Sequence, residues 1–145
     1  MEFLKNNPKW IRQPKQVQIS EDKVVILTER GTDLWARTYY GFQNDNAPVF
    51  QVETTDKYFS FIVKTEFEST CRFDQCGVAM YLNSDNWFKA SIEYENKKIQ
   101  RLGSVVTNHG YSDGQQQTYP LILKVCGIVF HEGTVTTVLN AVRMA

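Results

Sequence analysis

Asn86-Trp87-Phe88-Lys89-Ala90-Ser91-Ile92-Glu93-Tyr94-Glu95 alternates without a break. Phe88, Ala90, Ile92 and Tyr94 fall on one side of an extended chain, and Trp87, Lys89, Ser91 and Glu93 on the other. That period is the mark of a strand with two unlike faces. The residues just before it, Asn83–Asn86 (NSDN), make a turn, because Asn, Ser and Asp side chains bond their own backbone and tolerate turn dihedrals. Cys76–Leu82 (CGVAMYL) then reads as the strand before, with Val78, Met80 and Leu82 on one face.

The same reading extends outward. Lys23–Thr28, Trp35–Tyr40, Val49–Glu53 and Ile99–Thr107 are strand-length runs. Tyr58–Phe67 (YFSFIVKTEF) is predicted as a longer strand carrying Phe59, Phe61, Val63 and Phe67 on one face, and Asn108–Gly114 as a loop. No segment through Asp113 has a helical stripe, and there is no room for crossover helices, so a parallel βαβ architecture is excluded. The expectation is an all-β chain, an antiparallel sandwich or barrel.

Composition bounds the function. The 145 residues are one domain's worth and can bury a core unaided. With 16 basic and 16 acidic residues the formal net charge is +0, which carries no nucleic-acid footprint. MEFLKNNPKW has no apolar stretch of signal-peptide type, and no run is long enough to span a membrane. Cys71, Cys76 and Cys126 have no zinc-site spacing and read as reduced thiols of a cytoplasmic protein. The expectation is no nucleic-acid partner, no membrane, no cofactor and no metal. The loops Asn44-Asp45-Asn46 and Asn83–Asn86 have oxygen ligands suited to calcium, but Asn and Asp in loops serve more often as turn formers.

Three strings carry a family resemblance. They are Gly31-Thr32-Asp33-Leu34-Trp35 with Tyr39-Tyr40-Gly41-Phe42 and Asp45-Asn46-Ala47; Asp74-Gln75-Cys76-Gly77-Val78 through Met80-Tyr81 to Asn86–Ala90 and Ile92–Glu95; and Leu102–Asn108 ending at Ser112-Asp113. In order and spacing they resemble the regulation-of-enolase family, over roughly Trp10 to Asp113. The resemblance implies a concanavalin A-like jelly-roll sandwich, the architecture of lectins and glucanases, without implying their activity.

The resemblance stops at Gly114, where the family continues with tryptophan. Residues 114–145 hold only Lys124, Glu132 and Arg143 as charged residues, and only Tyr119 and Phe130 as aromatics. Loss of one T from a TGG codon after Asp113 explains both changes. The shifted frame reads tryptophan for Gly114 and carries WYR-like and SRR-like strings of the family's kind. The chain is therefore divided into a sandwich domain, 1–113, and an out-of-frame tail, 114–145, which leaves the sandwich without its last strands. Such a chain is expected to be marginally stable or to self-associate through exposed edges. In that reading Leu121–Phe130 (LILKVCGIVF) is an apolar segment never selected to pack; the alternative is a buried strand of an unusual family member.

Candidate chemistry sits on the outer face of the opening strand. Trp87, Lys89 and Glu93, with Tyr81 on the neighbouring strand, offer rings beside charges, a combination that suits a carbohydrate. The competing reading is an ordinary decorated face with Lys89 and Glu93 as a surface pair. Asp33, Trp35, Tyr39 and Tyr40 form a second aromatic cluster, with Trp35 read as core, and Asp74 and Gln75 read as turn caps. Glu93 and Glu95 could serve a glycosidase, but the E-x-D-x-x-E string of the superfamily's glucanases is absent, and no catalytic residue is assigned. Neither a Ser–His–acid set around His109 or His131 nor a nucleotide-binding loop is readable. The leading expectation is a non-catalytic carbohydrate or small polar ligand-binding domain, ahead of a protein-interaction or regulatory domain and of a glycoside hydrolase.

Overall fold

The computed structural model describes residues 2–54, 59, 61–121, 127–131 and 134–138, with side chains described from Phe3 to Leu121 within these ranges. After one helical turn, α1 (Glu2–Lys5), the chain is all strand: β1 (Lys9–Ile11), β2 (Gln16–Ile19), β3 (Val24–Leu27), β4 (Leu34–Ala36), β5 (Gln43–Asp45) and β6 (Val49–Gln51). Then follow β7 (Phe61–Ile62), β8 (Gln75–Asn83), β9 (Asn86–Tyr94), β10 (Ile99–Asn108), β11 (Tyr111–Pro120), β12 (Gly127–His131) and β13 (Thr134–Val138). The fold is an antiparallel all-β sandwich, as the alternation implied.

Its centre is a four-stranded sheet in the order β11-β10-β9-β8. Short turns join these strands in sequence. His109 and Gly110, between β10 and β11, both have positive φ (49° and 76°), the backbone of the two-residue hairpin turn whose twist matches that of the strands. One face of this sheet carries Val78, Ala90 and Ile92, packed against Phe59, Phe61, Val63 and Phe67. Phe61 lies in β7, which belongs to a second sheet in the order β13-β12-β7. The aromatic stripe read in Tyr58–Phe67 thus covers the core, although only Phe61–Ile62 of that run is in β7, and residues 55–58 and 60 lie outside the described residues. The opposite face carries Trp87 and Val105, roofed by Leu34, Trp35, Ala47, Val49 and Ile11 from the ribbons β4–β5 and β1–β6 and their flanks.

Other expectations are corrected. Trp35–Tyr40 is not one strand: β4 ends at Ala36, and the chain turns through Arg37 (φ 65°) and Tyr40 (φ 49°). Asn108–Gly114 is not a loop, because β11 begins at Tyr111 and pairs with β10 without interruption to Pro120. Met80 and Leu82 share the face of Val78 but are exposed, since the cover ends before them. Leu121–Phe130 falls partly on β12, whose side chains, like residues 122–126, lie outside the described ones. Cys71 is an exposed free thiol, Cys76 is buried, and Cys126 lies outside the described residues. Among the described residues no helix is long and apolar enough to cross a membrane.

Candidate functional site

Strand register builds the face on which Trp87, Lys89, Ser91 and Glu93 lie. Four rows run across β8, β9, β10 and β11: Tyr81–Trp87–Thr107–Ser112, Ala79–Lys89–Val105–Gly114, Gly77–Ser91–Gly103–Gln116, and Gln75–Glu93–Arg101–Thr118. A bulge between Tyr81 and Asn83 sets this arrangement. Without it Leu82 would lie opposite Trp87, and every side chain of β8 would change face.

The first two rows are under the roof. Trp87 is 5% exposed and packs with Leu34, Ala47 and Val49. This corrects the expectation that it points into solvent: the ribbons β4–β5 and β1–β6, whose runs at Trp35 and Val49 the sequence showed without their place in the fold, close over it. Truncating it would open a core cavity rather than remove a ring from a ligand. Tyr81 is half-buried at the roof's edge. Its hydroxyl accepts from Arg12 Nη1 (3.2 Å) and donates to Asp45 Oδ2 (3.0 Å), while the Arg12 guanidinium lies 5.0 Å from the ring centroid and 3.2 Å from Asp45 Oδ1. This group ties the N-terminal arm to the sheet. Asn44 and Asn46 donate to the Gly31 carbonyl (2.9 and 3.0 Å), and Asp74 Oδ2 accepts from the Thr70 and Cys71 amides (both 2.7 Å), so these residues act as turn formers.

At the roof's border the face becomes polar. Lys89 is only 9% exposed, and its ammonium meets Asp33 Oδ1 at 3.2 Å, so the expected surface pair with Glu93 is replaced by a buried pair across the layers. The same Asp33 oxygen accepts from the Leu34 amide (2.7 Å) and from Gln75 Nε2 (3.3 Å), and Gln75 Oε1 accepts from Ser91 Oγ (3.1 Å). A lysine so nearly covered requires this compensation, because an unpaired buried charge is costly. Gly77, Ser91 and Gly103 then form a trough of small residues across three strands, bridged at its β11 end by Gln116, whose Cγ lies 3.2 Å from where a Gly103 Cβ would stand and whose Nε2 donates to Glu93 Oε1 (3.5 Å). At Gly77 a Cβ would run into the Ala90 carbonyl of β9, so only glycine permits the close approach of these two strands.

Beyond the trough stands Glu93. Burial pushes its carboxyl above the usual carboxylate range; Lys89 opposes the shift, while Asp33 and Glu95 reinforce it. Glu95 behaves oppositely. Its burial also favours the neutral form, but hydrogen bonds from Arg72 Nε and Arg101 Nε (both 2.8 Å) outweigh it and hold the carboxyl below the usual range. The geometry therefore separates the four expected residues: Trp87 and Tyr81 at the roofed end, Lys89 at the border, Glu93 at the open end. It adds Asp33, Gln75, Ser91 and Arg101. Gln75 and Asp33 were visible only as a cap and as part of an aromatic string, because their meeting depends on the bulge and on a contact between layers.

Comparison with known proteins places this geometry in a family. Residues 10–126 match a family described as proteins of unknown function, DUF1349, so the match extends past Asp113. Over 111 residues the chain is 34% identical to Regulation of enolase protein 1 of Saccharomyces cerevisiae, covering 76% of this chain and 54% of the relative; the chain thus spans about half of that protein's length. The crystal structure of a functionally unknown protein from Saccharomyces cerevisiae aligns with a TM-score of 0.72 at 27% identity, covering 95% of this chain and 80% of that one. With a match over most of its length, and with the regulation-of-enolase protein as a relative, the chain belongs to the DUF1349 family of proteins of unknown function.

Proposed function

We propose that this domain binds a small polar ligand, a carbohydrate or similar polyol, without catalysis, in the trough between the Lys89–Asp33 pair and Glu93. The observation that carries the reading is the Gly77–Ser91–Gly103 row, small residues beside a carboxyl whose surroundings favour its proton. A protonated or hydrogen-bonded Glu93, Gln75, Ser91 and Arg101 give donors and acceptors along the row. Glycoside hydrolysis is a poorer fit, since it asks for a second carboxyl working with Glu93, and Glu95 is committed to two arginines. The free Cys71 thiol agrees with a cytoplasmic setting.

The test is titration calorimetry against a panel of monosaccharides and polyols. Glu93→Gln and Gln75→Ala should each weaken binding by about tenfold while leaving the melting temperature within a few degrees. Retained affinity in both variants sinks the trough as the site. A second reading, an interaction domain with a regulatory role, is favoured by the name of the yeast relative. A partner captured equally by the parent chain and by Glu93→Gln, without sugar dependence, would support it.

A further inference from the structure

The ribbon β2–β3 contributes to neither core cluster, and its sequence does not match its setting. Val24-Val25-Ile26-Leu27 holds no polar residue, the pattern of a strand covered on both faces. In the ribbon Val25 (43% exposed) and Leu27 (51%) lie open on one face, while Val24 and Ile26 on the other are half-buried. Among the described residues β3 pairs only with β2, so its second edge is open. A two-stranded ribbon is marginal by itself.

The register shows what this edge presents. Ser20 N donates to Lys23 O (2.9 Å), so Lys23 turns its main-chain groups toward β2. In an antiparallel pair that direction alternates, so Val25 and Leu27 do the same, and Val24, Ile26 and Thr28 turn theirs to the open edge. Among the described residues no main-chain bond from elsewhere reaches these three. Such an edge is a template for another strand, which natural edges usually blunt with charge, proline or a bulge. From Val24 to Thr28 the chain has none of these. Its charges stand at the two ends, Asp22 and Lys23 before the run and Glu29 and Arg30 after it.

From this edge we propose that the occupant is a second copy of this chain, joined antiparallel, β3 to β3, about a two-fold axis at Ile26. The axis sets Ile26 opposite Ile26, Val24 opposite Thr28 and Val25 opposite Leu27, so outward main-chain groups meet outward main-chain groups. It also sets Lys23 opposite Glu29 and Asp22 opposite Arg30, twice over. Glu29 Oε1 already lies 2.7 Å from Lys15 Nζ, which leaves its second oxygen for Lys23 of the other copy. The nearest alternatives are shifts of two residues. One sets Glu21 against Glu29 and Lys23 against Leu27; the other sets Val25 against Glu29 and Lys23 against Gly31. Only the register at Ile26 matches every charge with its opposite. The two ribbons then form a four-stranded sheet, in which Val25 and Leu27 of both copies make one apolar cluster. Its symmetry closes the pair at two.

Sedimentation velocity between about 1 µM and about 500 µM tests this, on the whole chain carrying Gln115→Lys, which charges the separate β11 edge. The expected result is a monomer–dimer equilibrium. Lys23→Glu and Glu29→Lys, each added alone, set like charges opposite and should weaken the dimer about tenfold or more. An equimolar mixture of the two variants sets an ammonium against a carboxylate at both positions, and should dimerise as the parent does. Ile26→Pro removes the central outward N–H without touching the β2 ladder, and should leave a monomer. Matching thermal melts show that the variants are folded. A chain that stays monomeric throughout overturns the proposal, as does a dimer unchanged in both charge variants. A mixture that dimerises no better than its components also overturns it, since the loss then comes from damage to each ribbon and not from the facing charges.

Discussion

β9 and the latter part of β11 lie in one sheet, yet they are held by different forces. Both pair through long, regular ladders. Along β9, Trp87 and every residue from Lys89 to Ile92 are buried. Along β11, Ser112 is buried, and then every side chain from Asp113 to Thr118 is exposed. Backbone pairing and side-chain burial, which usually come together, part company at the position where the family-like strings end. A hydrogen-bonded ladder alone contributes little net stability, because water offers its groups the same bonds. Burial of apolar surface decides which strand holds the fold, at roughly 1.5–3 kcal/mol for a side chain such as Ile92.

The sharpest way to break the contrast is a pair of truncations. Ile92→Ala should lower unfolding free energy by about 2–5 kcal/mol. Gln115→Ala should stay within about 0.5 kcal/mol. Urea denaturation measures both, and equal losses would show that β11 carries more than its exposure suggests.

A second comparison bears on the tail itself. A chain continued after Asp113 in the shifted frame should gain about 1–2 kcal/mol over the present one, read as a rise of several degrees in melting temperature. It should also lose the association that the uncharged β11 edge Gln115–Gln117 gives the present chain as concentration rises. The family match runs to residue 126 in the present frame and so includes β11. Identical melting and sedimentation would remove the case for a frame change.

The smallest effect is electrostatic. Burial raises the Glu93 pKa above its ordinary 4.5, with Lys89 opposing and Asp33 reinforcing the shift. Ionising this carboxyl therefore works against folding. The stability tied to its proton is present below the unfolded value and is lost as pH rises through the folded one. Glu93→Gln should abolish that decline and be the more stable form at neutral pH, by under about 1 kcal/mol given its partial exposure. A variant with the parent's stability profile above pH 4.5 would show that the site is better solvated than its geometry implies.

What the sequence made legible were the features written in a period of two. The two faces of β9, the turn at Asn83–Asn86 and the aromatic cover of Phe59, Phe61, Val63 and Phe67 needed only local alternation and turn chemistry. The roof over Trp87 was not legible: runs at Trp35 and Val49 were readable as strands, but three-residue ribbons are too short to show a period that says which face they cover. Lys89 was misjudged for the same reason: its partner Asp33 comes from another layer. β11 was missed although His109-Gly110 between two alternating runs was a usable hairpin signal, since the polar Gln115–Gln117 stretch has no apolar face to betray a strand.

The ties between layers also set an order of events. Arg12 meets Tyr81 69 residues later, Asp33 meets Lys89 at a separation of 56, and the Ala36 amide reaches the Ser112 hydroxyl at 76. The meander β8 to β11, by contrast, closes through turns of a few residues. Local hairpins form faster than contacts across long stretches of chain. On the ribosome the first third of this protein therefore emerges without the surface it will cover. Its ribbons wait, with Trp35 and Val49 unsheltered, until synthesis has passed Ser112. The interval when the nascent chain most needs protection from misassociation is written into this topology, and it ends only when the β10–β11 turn leaves the exit tunnel.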